Sequence, residues 1–127
     1  MFVKGVLIFT AIIWLPYGLY CFFEPGSLAE NAGVLATTPT GSTELRAMYG
    51  GLQIGIGSLA AAALWRPRLA VGALLAVAFL TAGLASTRLL GAWLDGGWSA
   101  YTFGGVFFEL LSFVLASTAL RRSSASA

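Results

Sequence analysis

An all-α, integral membrane four-helix bundle is predicted by three observations. Hydrophobic residues make up 58% of the chain, only 9% are charged, and the mean hydropathy is +0.86. A soluble domain of 127 residues has no means of hiding so much apolar surface. Three runs of 19 residues, Gly5–Phe23, Ala47–Trp65 and Leu69–Thr87, carry no charge, and a fourth, Ala100–Leu120, carries only Glu109. At ~1.5 Å per residue each charge-free run reaches ~28 Å, close to the hydrocarbon thickness of a bilayer. Backbone groups in lipid are satisfied only in helices or closed barrels, and these runs lack the polar alternation of barrel strands. The expectation is one membrane domain over residues 1–127, with spans at about 5–23, 45–65, 69–89 and 100–120 and an outer loop at 24–43.

The first span is read as a membrane helix. Its apolar run continues through Phe22 and Phe23, longer than a signal-peptide core, and Cys21 follows Tyr20 where a lipoprotein site needs a small residue. Pro16 frees the carbonyl of Ile12 and predicts a kink. Thr10, Trp14, Tyr17 and Cys21 share one face, a pattern of packing or of a cavity wall.

The loop at 24–43 is long for a connection and contains Pro25, Gly26, Gly33, Pro39 and Gly41. Ser42 or Thr43 is expected to cap the second span, with Glu44 in its first turn against the positive helix end. In that span Arg46, Tyr49, Gly50, Gln53 and Gly57 share one face at helical spacing, and Gly51, Gly55, Ser58 and Ala62 share its neighbour. The second face reads as a small-residue seam for close helix contact. A polar stripe facing lipid is costly, so Arg46, Tyr49 and Gln53 are expected to face inward.

A short Arg66-Pro67-Arg68 turn leads to the third span, where Arg88 is expected to snorkel at the outer end or to join Arg46. Trp93, Trp98 and Tyr101 read as the aromatic belt at the membrane interface. In the last span Thr102, Gly105, Glu109, Ser112 and Ala116 follow one small, polar face. A carboxyl at mid-membrane costs at least a few kcal/mol and usually marks a ligand, ion or proton site, the alternative being interhelical glue hydrogen-bonded to Ser112 or a backbone carbonyl. Gln53 and Glu109 fall at similar depth, which predicts that the second and fourth spans pack together with these two in hydrogen-bond reach. Burial disfavours the carboxylate, so Glu109 is expected to be protonated. The candidate ligand-binding set is Arg46, Tyr49, Gln53, Glu109 and Ser112, Glu109 is the candidate catalytic group, and Gly50, Gly51, Gly55, Gly57 and Gly105 are assigned to helix packing.

Lys4, Arg66, Arg68, Arg121 and Arg122 fall at one membrane face, against Arg46 and Arg88 at the other. The bias predicts cytoplasmic termini in a multi-pass protein of an inner (plasma) membrane. The absence of histidine excludes His-bound metal, haem and a Ser/His/Asp triad, and a single cysteine excludes an internal disulfide and an iron–sulfur cluster. No metal or cofactor is expected, and no nucleic-acid partner, since the cations sit only at helix ends.

Glu44-Leu45-Arg46-Ala47-Met48-Tyr49-Gly50-Gly51-Leu52-Gln53, with Glu109-Leu110 in the last span, resembles a bacterial membrane family catalogued as domain of unknown function 4345. The resemblance implies four membrane helices and, more distantly, similarity to DoxX-like proteins, some of them associated with quinone-linked oxidation. It implies no activity, and it marks Glu44, Arg46, Tyr49, Gly50, Gly51, Gln53 and Glu109. Three function classes are open: a non-enzymatic protein that binds a small amphipathic or lipid ligand or serves as an accessory subunit, a proton-coupled carrier, and an intramembrane acid–base enzyme such as an isomerase or quinone-linked subunit. The leaning is toward the first. The expected partners are membrane lipid, a small hydrophobic ligand or quinone, and a homo-oligomer or larger membrane complex.

Overall fold

The computed structural model describes residues 1–124, so residues 125–127 of the expected domain lie outside it. Four helices are long and apolar enough to cross a membrane. The first is α1 (Phe2–Phe23), which continues through Pro16. The second span is built in three pieces: α3 (Pro39–Leu45), a π-helical turn over Arg46–Gly51, and α4 (Leu52–Trp65). A 3-10 turn at Pro67–Leu69 opens α5 (Ala70–Asp95), and α6 (Ala100–Ser124) is the last. The charge-free runs locate the spans, but the helices extend past them. In particular α5 runs on to Asp95, beyond the expected limit near residue 89.

The connection at 24–43 is partly helical. A short helix, α2 (Ser27–Ala32), ends at Gly33, whose φ of 69° is a left-handed conformation that glycine adopts without strain. The second span then starts earlier than expected. Thr38 is its N-cap, accepting from the Gly41 N–H at 3.1 Å, with Pro39 in the first turn where its missing N–H costs nothing. Ser42 and Thr43 are therefore inside the helix, and the Thr43 hydroxyl donates back to the Pro39 carbonyl. Glu44 lies beyond the first turn.

The helices associate as two close pairs, α1 with α4 and α5 with α6. Between lipid-solvated helices the drive is shape rather than hydrophobicity, so close backbone approach matters most. Along α1 and α4 the approach runs through three glycines. A Cβ on Gly18 would sit 2.8 Å from both the Gln53 Cβ and the Ile54 N, one on Gly50 would sit 2.9 Å from the Phe22 Cβ, and one on Gly57 would sit 2.7 Å from the Leu15 Cγ. Gly55 meets nothing within 4 Å and Gly51 only its own helix's Arg46 carbonyl at 3.9 Å. The packing seam thus lies on the face shared by Gly50 and Gly57, not on the Gly51/Gly55 face expected to form it.

The two pairs join at the end that holds the termini. Val6, Leu7, Ala11, Ala60, Ala63, Ala73, Leu74, Val77, Ala116 and Ala119 form one buried core there. Small side chains let four helices come together, and among the described residues no comparable cluster fills the opposite half. Large apolar side chains point outward around the bundle, Phe79 being 78% and Phe107 70% exposed, as expected of surfaces solvated by lipid.

Candidate functional site

The half of the bundle away from the alanine core contains a cavity of about 720 Å³, to which all four membrane helices contribute. That is within the range of small-molecule sites. Ile13, Trp14 and Tyr17 come from α1, Met48 and Tyr49 from the π turn, and Leu52 and Gln53 from α4. Leu84 and Arg88 of α5 close another side, and Tyr101, Gly104, Gly105, Phe108 and Glu109 of α6 complete it.

The π turn decides which residues of the second span reach the cavity. The Leu52 N–H bonds the Ala47 carbonyl, five residues back. The extra residue in this turn rotates everything before it by about 100° relative to an unbroken α-helix. Tyr49 and Gln53 line the cavity, whereas Arg46 is turned away from it. Its guanidinium donates to the carbonyl of Phe22 and lies 5.6 Å from that ring's centroid, so it satisfies the C-terminal end of α1. The expected Arg46/Tyr49/Gln53 stripe is therefore split.

Glu109, 4% exposed, is paired with Arg88 of α5. Arg88 Nε donates to Oε1 at 3.0 Å and to Oε2 at 3.1 Å, and Nη2 donates to Oε1 at 2.6 Å. This forked geometry is that of a guanidinium on a carboxylate. The partner comes from the neighbouring helix, where the sequence suggested none. The expected Gln53–Glu109 hydrogen bond is absent among the described residues. In this bundle α4 and α6 lie across a diagonal, while α5 packs against α6 along its length. Arg88 does not snorkel to the interface, since α5 continues for seven more residues to Asp95.

Gly105 makes the pair possible. It precedes Glu109 by one turn, and a Cβ there would lie 2.9 Å from Arg88 Nε and 3.0 Å from Cζ. The guanidinium lies in the groove that this missing side chain leaves. Its Cζ is also 5.9 Å from the Tyr101 ring centroid, so Tyr101 is part of the site rather than only of an aromatic belt.

Trp14 is 4% exposed and its Nε1 has no hydrogen-bond partner, and neither has the buried Oε1 of Gln53. Trp14 packs its ring on Phe108 of α6 at 6.0 Å between centroids, and Gln53 lies against Gly18 of α1. A buried donor or acceptor left without a partner costs about 1–3 kcal/mol. Ser112 is likewise buried with an unpartnered hydroxyl, but it lies outside the cavity lining, one turn farther along α6. Thr10 bonds the Val6 carbonyl of its own helix and Cys21 is buried, and neither lines the cavity.

Sequence reasoning did not bring Arg88, Gly104 or Phe108 into the site. The signal for Arg88 was its distance from the helix end, which requires locating the stop at Asp95-Gly96. Gly96, in the left-handed conformation with φ 66°, supplies it.

Comparison with known proteins gives one match. A family model described as Domain of unknown function (DUF4345) matches residues 2–120. No curated protein and no solved structure matches the chain.

Proposed function

The chain belongs to the DUF4345 family, and from that membership, which brings no activity with it, we propose a membrane protein that holds one small amphipathic, lipid-like molecule in the cavity between its four helices. One observation carries this reading. The half of the bundle that lacks an alanine core holds a half-open cavity of about 720 Å³, apolar over most of its wall, with an internally neutralised Arg88–Glu109 pair and the polar side chains of Tyr49 and Gln53 in its lining. An apolar cavity with a few convergent polar groups is the general form of a small-molecule site.

The Arg88 fork favours binding over proton transport or acid–base catalysis. Both of those need a Glu109 that releases and regains a proton, and here both carboxylate oxygens accept from Arg88. We place the chain in a bacterial inner membrane with both termini cytoplasmic. The support is that Lys4, Arg66, Arg68, Arg121 and Arg122 lie at the same end of the helices.

Gly104 supplies the test, because it lines the cavity and has nothing within 4 Å of a Cβ position. Gly104→Leu fills space without pushing on a neighbouring helix. Native mass spectrometry of protein released from mild detergent should find an amphiphile bound at about one copy per chain in the wild type and lost in Gly104→Leu. A wild type that carries no adduct and takes up no single-chain amphiphile on addition contradicts the reading.

A further inference from the structure

We infer that the bundle has a second lipid site on its outer surface, a groove along α1 and α4 that takes one chain of a phospholipid and holds its net-negative head at Arg66. The groove measures about 510 Å³ and is lined by Leu15 of α1, by Ser58, Ala61, Ala62 and Trp65 of α4, and by Arg66 at the end of that helix. None of these residues lines the inner cavity. The small side chains of Ser58, Ala61 and Ala62 leave the room beside Leu15 and Trp65. Gly55, three residues before Ser58, has nothing within 4 Å of a Cβ position, so no other helix of the chain covers this face.

The groove has the reach of a chain in one leaflet. From Ser58 to Arg66 the second span rises ~12 Å, close to the ~15 Å of hydrocarbon in half a bilayer. Its inner end is at Leu15, near the middle of α1, and its other end is at Trp65, 80% exposed, an aromatic of the kind that settles at the membrane interface.

The head is selected by charge. Arg66 and Arg68 are exposed, and among the described residues no carboxylate pairs with either. Lys4, Arg121 and Arg122 lie at the same end of the bundle, whereas Glu24, Glu30, Glu44 and Asp95 lie at the other and Glu109 is committed to Arg88. The C-terminus of α4 and the start of α5 meet at this turn, so their opposite end charges nearly offset and the arginines set the local potential. A phosphodiester finds charge-assisted donors here. A zwitterionic head also brings an ammonium, for which this end offers no carboxylate among the described residues.

A surface groove exchanges its lipid with detergent, so the test adds lipid back to the intact protein and reads binding by native mass spectrometry. The two probes share their chains: palmitoyl-oleoyl phosphatidylglycerol and palmitoyl-oleoyl phosphatidylcholine. The first lipid bound should favour phosphatidylglycerol by about five-fold or more, the effect of one or two cations on an anionic head. Arg66→Gln should bring the two lipids to within about two-fold of one another. Lys4→Gln removes a cation from the same end but not from the groove, and should keep the preference. Ala62→Leu fills the groove and should weaken both lipids, while Gly104→Leu, which fills the inner cavity, should weaken neither. Equal binding of the two lipids to the wild type overturns the anionic site. Equal losses from Arg66→Gln and Lys4→Gln would reduce it to the general charge of this end, and full binding to Ala62→Leu would place the lipid outside the groove.

Discussion

Arg88 of α5 and Glu109 of α6 are joined at 2.6 Å between Nη2 and Oε1, with Nε bridging both carboxylate oxygens, in a lane that exists because residue 105 is glycine. The pair links the two helices that form one half of the bundle and leaves the cavity wall with no net charge. The forked contact gives α5 and α6 a fixed register.

Removing one member of the pair should be far worse than removing both. Glu109→Gln leaves a guanidinium without its counter-charge and should cost about 2–3 kcal/mol, somewhat less than for a fully buried pair because the Arg88 side chain is 29% exposed. Arg88→Met combined with Glu109→Leu should recover most of that loss. Thermal unfolding in a single detergent measures all three variants, and a double variant no more stable than Glu109→Gln would show that the pair is not the coupled unit described.

Gly105→Ala should preserve the fold and move the guanidinium, since the added methyl meets the far end of a flexible side chain and not backbone. The side-chain Nε–H resonance of Arg88 reports this directly. It should shift and exchange faster with solvent in the variant, and an unchanged resonance would contradict the role given to Gly105.

The glycines of the first and second spans separate in the same way. Gly18→Ala forces a Cβ against the Ile54 N and the Gly50 carbonyl at 2.8 and 2.9 Å, which only a helix shift relieves, and should cost about 1–3 kcal/mol. Gly55→Ala faces open space and should be neutral or slightly stabilising through its higher helix propensity. Equal losses from the two substitutions in thermal unfolding would place the seam back on the Gly55 face.

The four spans and the inward position of Glu109 were legible in the sequence because lipid imposes a simple rule of length and charge. The partner of Glu109 was not. Matched depth in two helices says nothing about whether they are neighbours or diagonal, and the pairing of α5 with α6 was set by fit between helices. Arg88 looked terminal because the charge-free run ends at Thr87, while the helix itself ends at Asp95. The stripe from Arg46 to Gln53 was drawn with an unbroken α-helical period, and the π turn over Arg46–Gly51 changes that period inside the motif. The early start of the second span was visible in Thr38-Pro39, a cap followed by proline in the first turn.

The proposed orientation predicts asymmetric labelling. Cysteine placed at Ser27, in α2, should react with a membrane-impermeant thiol reagent applied to the outer face of intact cells or spheroplasts, and cysteine placed at Arg68 should not. The native Cys21 is buried and contributes little background. Reaction at position 68 from outside would reverse the topology.

Trp14 offers the most direct test of the cavity as a binding site. The chain has four tryptophans, and Trp65, Trp93 and Trp98 are exposed near helix ends while Trp14 lines the cavity. Their indole N–H resonances are separately observable in the protein held in a lipid nanodisc. Titration with hexadecan-1-ol should move the Trp14 Nε1–H signal saturably and leave the other three in place. A Trp14 signal that stays fixed, or four signals that drift together in proportion to added alcohol, would mean that the molecule enters the bilayer and not the cavity.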